Sequence, residues 1–165
     1  MADGKVLYSE ANGRLFIRMI GEIRYTIGGG FQALLRKYLR DDGGIEDALV
    51  DLNDASYVDS TNLGLLAQIA RYMIKRFNRK PALLCSNKEI YLLLETMGFD
   101  EVFTVVQSME TNPPELREVG KVPQDAQDKA RMMLDAHRAL VEMNAHNAAV
   151  FKNVVELFEK ELSGS

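Results

Sequence analysis

The chain has 165 residues, 47% of them apolar and 27% charged, the proportions of an ordinary folded domain and not of a disordered, collagenous or membrane-spanning chain. Domains commonly run to about 100–150 residues, so this length suits one domain with a core plus an extension. Twenty basic against twenty-four acidic residues give a net charge of −4, which argues against a dedicated nucleic-acid binder, whose footprint is strongly basic. No stretch approaches the ~18 uninterrupted apolar residues of a membrane helix, and the opening Met1-Ala2-Asp3-Gly4-Lys5 lacks the basic-then-apolar pattern of an export signal. The lone cysteine, Cys85, can form no intrachain disulfide and cannot anchor zinc alone, so the expected location is a reducing cytoplasm, without membrane insertion.

Val6 to Glu10 and Arg14 to Gly21 are short apolar-rich runs around an Asn12-Gly13 pair, which predicts an opening β-hairpin. After Gly28-Gly29-Gly30, residues Phe31, Leu34, Leu35, Tyr38 and Leu39 recur at spacings of three and four, the stripe of a first amphipathic helix. Ala48 to Leu52 reads as a buried strand, and Leu63, Leu66, Ala70, Met73 and Phe77 as a second helix. Pro81 to Ser86 is a third such strand, Lys88 to Met97 a third helix closed by Gly98, and Val102 to Gln107 a last strand. Alternation of this kind specifies an α/β fold, a β-sheet with helices packed on it.

Residues 108–123 hold Pro113, Pro114 and Pro123 and little periodicity, which marks a linker. The expected division is a domain over 1–110, a linker over 111–123 and a helical extension over 124–165. In the extension Ala130, Met133, His137, Leu140, Phe151, Val154 and Phe158 fall near a repeat of three and four, interrupted by Asn144 and Asn147. Buried Asn needs partners. Two readings stand: a helix that breaks near Asn144 and folds back on itself or on the domain, or a helix for self-association or partner docking, with Asn fixing the register. Because the core elements precede the linker, removal of 124–165 should leave the α/β domain folded.

Candidate chemistry is sparse, and no catalytic residue, cofactor or metal site is expected. His137 and His146 are nine residues apart, about 900° of helix rotation, so on one continuous helix they face opposite sides and read as surface or interface histidines. Gly28-Gly29-Gly30 lacks the Lys-Ser/Thr of a phosphate loop and the spaced glycines of a dinucleotide fingerprint, and reads as a flexible turn. Arg71, Lys75, Arg76, Arg79 and Lys80 gather at the end of the second helix, where cations suit the helix dipole; a solvated face or an acidic protein partner fits them better than nucleic acid.

The stretch that stands out is Tyr57-Val58-Asp59-Ser60-Thr61-Asn62-Leu63-Gly64, between a buried strand and an amphipathic helix. Asp59, Ser60 and Thr61 are all capping residues, so the plain reading is a helix N-cap. A hydroxyl in that position also sits where free N–H groups and the positive end of the helix dipole favour an added phosphate. Phosphorylation there would set about −2 of charge beside Asp59 and could expel a partner docked on the helix end without unfolding anything.

The order of elements and the run Asp59-Ser60-Thr61-Asn62-Leu63-Gly64 together resemble the STAS domain of bacterial anti-sigma factor antagonists. That family's hallmark is a strand, an Asp-Ser-Ser/Thr-Gly-Leu-Gly turn and a helix. Asp59 and Ser60 match the acidic residue and the phosphorylated serine, Leu63 and Gly64 also match, and Asn62 stands where Gly is usual. The resemblance spans about Lys5 to Gln107, including Leu94-Glu95-Thr96-Met97-Gly98-Phe99, and leaves the C-terminal extension outside it. It implies a STAS-like mixed sheet and a non-enzymatic adaptor that binds an anti-sigma factor, often a serine-protein kinase, through Asp59 to Gly64 while Ser60 is unphosphorylated. It further implies release on phosphorylation of Ser60, with Thr61 a lesser acceptor, and resetting by a PP2C-type phosphatase. The alternative is a constitutive STAS subunit of a membrane transporter or a stress-signalling complex.

Overall fold

A computed structural model describes residues 4–164. Strands β1 (Lys5–Ala11) and β2 (Arg14–Ile23) form the expected antiparallel hairpin. Asn12 and Gly13 both take positive φ, 54° and 80°, as the two central residues of a type I′ turn must. A 3-10 turn, Tyr25–Ile27, leads into α1 (Gly28–Tyr38), followed by β3 (Asp47–Val58), α2 (Ser60–Phe77), β4 (Ala82–Leu84) and α3 (Lys88–Thr96). A second 3-10 turn, Phe99–Glu101, precedes β5 (Thr104–Val106).

Six strands make one mixed sheet in the order β5-β4-β3-β2-β1-β6. β2 through β5 pair in parallel, while β1 is antiparallel to both its neighbours. The edge strand β6 (Arg117–Glu118) falls inside the stretch read as a linker, and no two-residue strand announces itself in sequence. Strand alternation separates two apolar clusters. Leu15, Ile17 and Met19 join Phe31, Leu66 and Leu94 in the main core, so all three helices lie over one face. Phe16, Leu49 and Leu84 point the other way and meet Leu116 of the connecting segment.

The chain beyond the linker forms two helices, α4 (Ala126–Met143) and α5 (Ala145–Ser163). Asn144 sits between them in extended conformation and caps α5, accepting from the Asn147 amide at 2.8 Å. Both asparagines find their partner on the domain: the Nδ2 groups of half-buried Asn144 and buried Asn147 donate to the Met97 carbonyl at the end of α3, at 3.2 and 2.9 Å. The chain therefore breaks and folds back, and Ala136, Ala139, Leu140 and Phe151 are buried in the main core.

The triple glycine is not a turn. Gly28, Gly29 and Gly30 are the buried first turn of α1. A Cβ on Gly30 would collide with the Gly120 carbonyl oxygen, and one on Gly28 would lie 2.8 Å from Met132 Sδ. The glycines admit the C-terminal chain at close range, a requirement set by residues some hundred positions away that local sequence cannot express.

Candidate functional site

The end of β3 and the start of α2 hold the site. The Asp59 amide donates to the Ile23 carbonyl at the end of β2, at 3.0 Å, which fixes the loop to the sheet. Asp59 is extended and is the N-cap of α2, its carboxylate accepting from the Asn62 amide at 2.9 Å. The Leu63 amide closes the first turn onto the Asp59 carbonyl. Capping by Asp leaves Ser60 as the first helical residue, its hydroxyl free for another partner.

Burial divides the hexapeptide. Asp59 and Ser60 are half-buried, whereas Thr61, Asn62, Leu63 and Gly64 are covered, Thr61 to 3% exposure. Asn62 Nδ2 donates to the Asp59 carboxylate at 2.9 Å, and its Oδ1 is buried without a partner. Gly64 is the point of closest approach to α4: a Cβ there would run into the Ala136 carbonyl oxygen.

His137, on α4, completes the site. Its Nδ1 lies 2.6 Å from the Met133 carbonyl oxygen and its Nε2 2.9 Å from Ser60 Oγ. A carbonyl only accepts, so Nδ1 carries the proton, and in the neutral ring Nε2 accepts from the Ser60 hydroxyl. Burial pushes the imidazole pKa below its ordinary 6.5, against weaker upward pulls from the Met133 carbonyl and the Asp59 charge. Phe151 and Phe158 of α5 pack on the ring at centroid distances of 5.4 and 6.0 Å. His137 is buried, where spacing alone makes it a surface or interface histidine; its partner lies 77 residues away, and nothing local signals the pairing.

A phosphate on Ser60 would meet three influences: the positive end of α2, which favours it, the Asp59 carboxylate, which repels it, and an imidazole already in contact. Exposed aromatics stand close by. Tyr57 lies under the Arg24 guanidinium at 4.8 Å, and Tyr25 under the Lys129 ammonium at 5.6 Å. The basic cluster is partly engaged within the chain, Arg71 with Glu142 at 2.9 Å and Arg76 with Asp41 at 2.8 Å. Arg79 donates to the Glu46 carbonyl. His146 is exposed on α5. Burial raises the Cys85 thiol pKa, partly offset by the Asn87 backbone. Among the described residues no three His, Cys, Asp or Glu side chains gather as a metal site, and no helix is long and apolar enough to cross a membrane.

A STAS domain model matches residues 6–112, from β1 past β5 and short of α4. The structure of the Bacillus cell fate determinant SpoIIAA in its phosphorylated form superposes with a TM-score of 0.50 at 16% identity, over 62% of this chain and 90% of that one. The anti-sigma factor antagonist SpoIIAA in its unphosphorylated form matches with a TM-score of 0.45 at 15% identity, over 55% and 81%. No curated protein sequence matches the chain.

Proposed function

The chain belongs to the STAS-domain family, and from that premise we propose that it is an anti-sigma factor antagonist whose partner binding is controlled by phosphorylation of Ser60. The observation that carries the reading is a serine hydroxyl on the first residue of α2, beside the Asp59 cap, half-exposed at the end of a strand–helix turn. Thr61 is buried and is the poorer acceptor. Unphosphorylated, the chain binds an anti-sigma factor or serine-protein kinase around Asp59 and Ser60 and so frees a sigma factor. A phosphate of charge about −1.5 to −2 next to Asp59 repels an acidic or closely fitting partner, and a PP2C-type phosphatase restores binding.

The test is phosphopeptide mass analysis of the protein from its native cells, with and without PP2C-type phosphatase, beside pulldowns with Ser60→Ala and Ser60→Asp. Phosphatase-sensitive phosphate on Ser60, with binding kept by Ser60→Ala and lost by Ser60→Asp, is the expected result. Equal binding by both variants overturns the switch. The hydrogen bond that occupies the Ser60 hydroxyl favours one second reading, a constitutive STAS subunit of a transporter or stress complex. No phosphate at any growth phase, with transporter ATPase subunits recovered, would select it.

A further inference from the structure

The surface around Ser60 is already occupied, and by a helix of defined chemistry. α4 lies across α2 with Ala136, Ala139 and Leu140 buried beneath it. Its backbone rides on Gly64 and its Met132 side chain on Gly28. Two carboxylates seven residues apart on α4, Asp135 and Glu142, reach Arg36 of α1 at 3.7 Å and Arg71 of α2 at 2.9 Å. His137 takes the Ser60 hydroxyl. The occupant is thus an amphipathic helix with an apolar, small-residue stripe flanked by acidic groups that match basic groups on the domain.

The occupant is also a unit of its own. α4 begins with a capping box, Asp125 with Asp128, and α5 with the Asn144 cap. The two helices hold each other through Arg138–Glu159 at 2.7 Å and through Phe151 and Phe158 on the His137 ring. Both lie outside residues 6–112 that the family model matches. A hairpin with internal caps and contacts can leave the domain without first unravelling.

We propose that the α4–α5 hairpin is an internal competitor: the α1–α2 face beside Ser60 is a docking surface for an acidic amphipathic helix of a partner, and the chain fills it with its own until displaced. The inference rests on the proposed function only in taking this face as the partner's. While the hairpin is seated, no partner helix can lie along the α1–α2 face, and apparent affinity falls by the fraction of molecules that are open.

The experiment uses the full chain and a fluorescent synthetic peptide of residues 124–165. Ala136→Glu places a long charged side chain where the α4 backbone meets Gly64 and unseats the hairpin. The peptide is expected to bind the Ala136→Glu chain and to bind the unmodified chain at least ~100-fold more weakly, because the face is filled. A peptide carrying Asp135→Lys and Glu142→Lys should bind the opened chain several-fold more weakly. Binding to neither chain, or equally to both, overturns the proposal. Should Ala136→Glu lose the circular dichroism of the sheet, hydrogen exchange on the unmodified chain decides. Amides of α4 and α5 exchanging at least ~10-fold faster than those of β3 support a separable hairpin, and equal protection refutes it. Neither measurement involves a kinase or modified Ser60, so a failed search for phosphate leaves both standing, and their failure leaves the phosphorylation test intact.

Discussion

Ser60 Oγ donates to His137 Nε2 across 2.9 Å although 77 residues separate the two. This contact ties the first residue of α2 to the middle of α4, and its energetics set the first two expectations.

His137→Ala removes the acceptor for the Ser60 hydroxyl and empties the space between α2 and the Phe151 and Phe158 rings. Loss of a buried, hydrogen-bonded ring of this kind costs about 1–3 kcal/mol. The urea midpoint should fall, and hydrogen exchange should place the loosening in α4 and α5. His137→Gln, which keeps an acceptor, should recover part of the loss.

Stability should also fall with acidity. Burial holds the seated imidazole below its ordinary pKa of 6.5, so the unseated or unfolded state binds the extra proton first as pH drops below that value. The ring's contribution is complete above about 6.5 and is lost progressively below it, with the Asp59 charge opposing the loss. Urea midpoints at neutral and mildly acidic pH should differ more for the unmodified chain than for His137→Gln.

At Gly64 two effects compete. Ala is the better helix former by roughly 0.5–1 kcal/mol, but its Cβ would strike the Ala136 backbone carbonyl, and overpacking against backbone costs about 1–3 kcal/mol. Gly64→Ala should therefore destabilise the full chain as read by thermal melting. A net gain in stability would mean that α4 is not seated on α2.

Removal of 124–165 should leave the sheet folded, since every strand precedes the cut, but with a lower melting temperature. Gly28, Gly29 and the first turn of α2 lose the chain that covers them, and a dye that binds apolar surface should bind the truncated form and not the full one. Circular dichroism without strand signal would make the hairpin part of the folding core.

The α/β alternation, the hairpin and the three domain helices were legible because each is written in local periodicity and turn chemistry, as at Asn12-Gly13 and Leu63 to Phe77. So was the start of α2, where Asp59 caps the helix and Ser60 opens it. What escaped was whatever depends on distant backbone. Gly28 to Gly30 read as a turn because the reason for small residues is the chain at Gly120 and Met132. β6 is two residues whose only strand signal is the edge of β1. Asn144 and Asn147 marked an interruption, yet their target, the Met97 carbonyl, cannot be deduced from the helix that carries them.

That target has a mechanical consequence. The extension is tethered at its near end by β6 and by Gly120 and Gln124 against α1, and fastened at its far end by two asparagine amides on one carbonyl oxygen of α3. The stretch between is held at both ends, at Gln124 against Gly29 and at the Met97 carbonyl. Releasing that carbonyl frees two amides together, so this end of α4 parts from α3 in one step, and a displacement of the α3 end is felt directly at the α4–α5 junction.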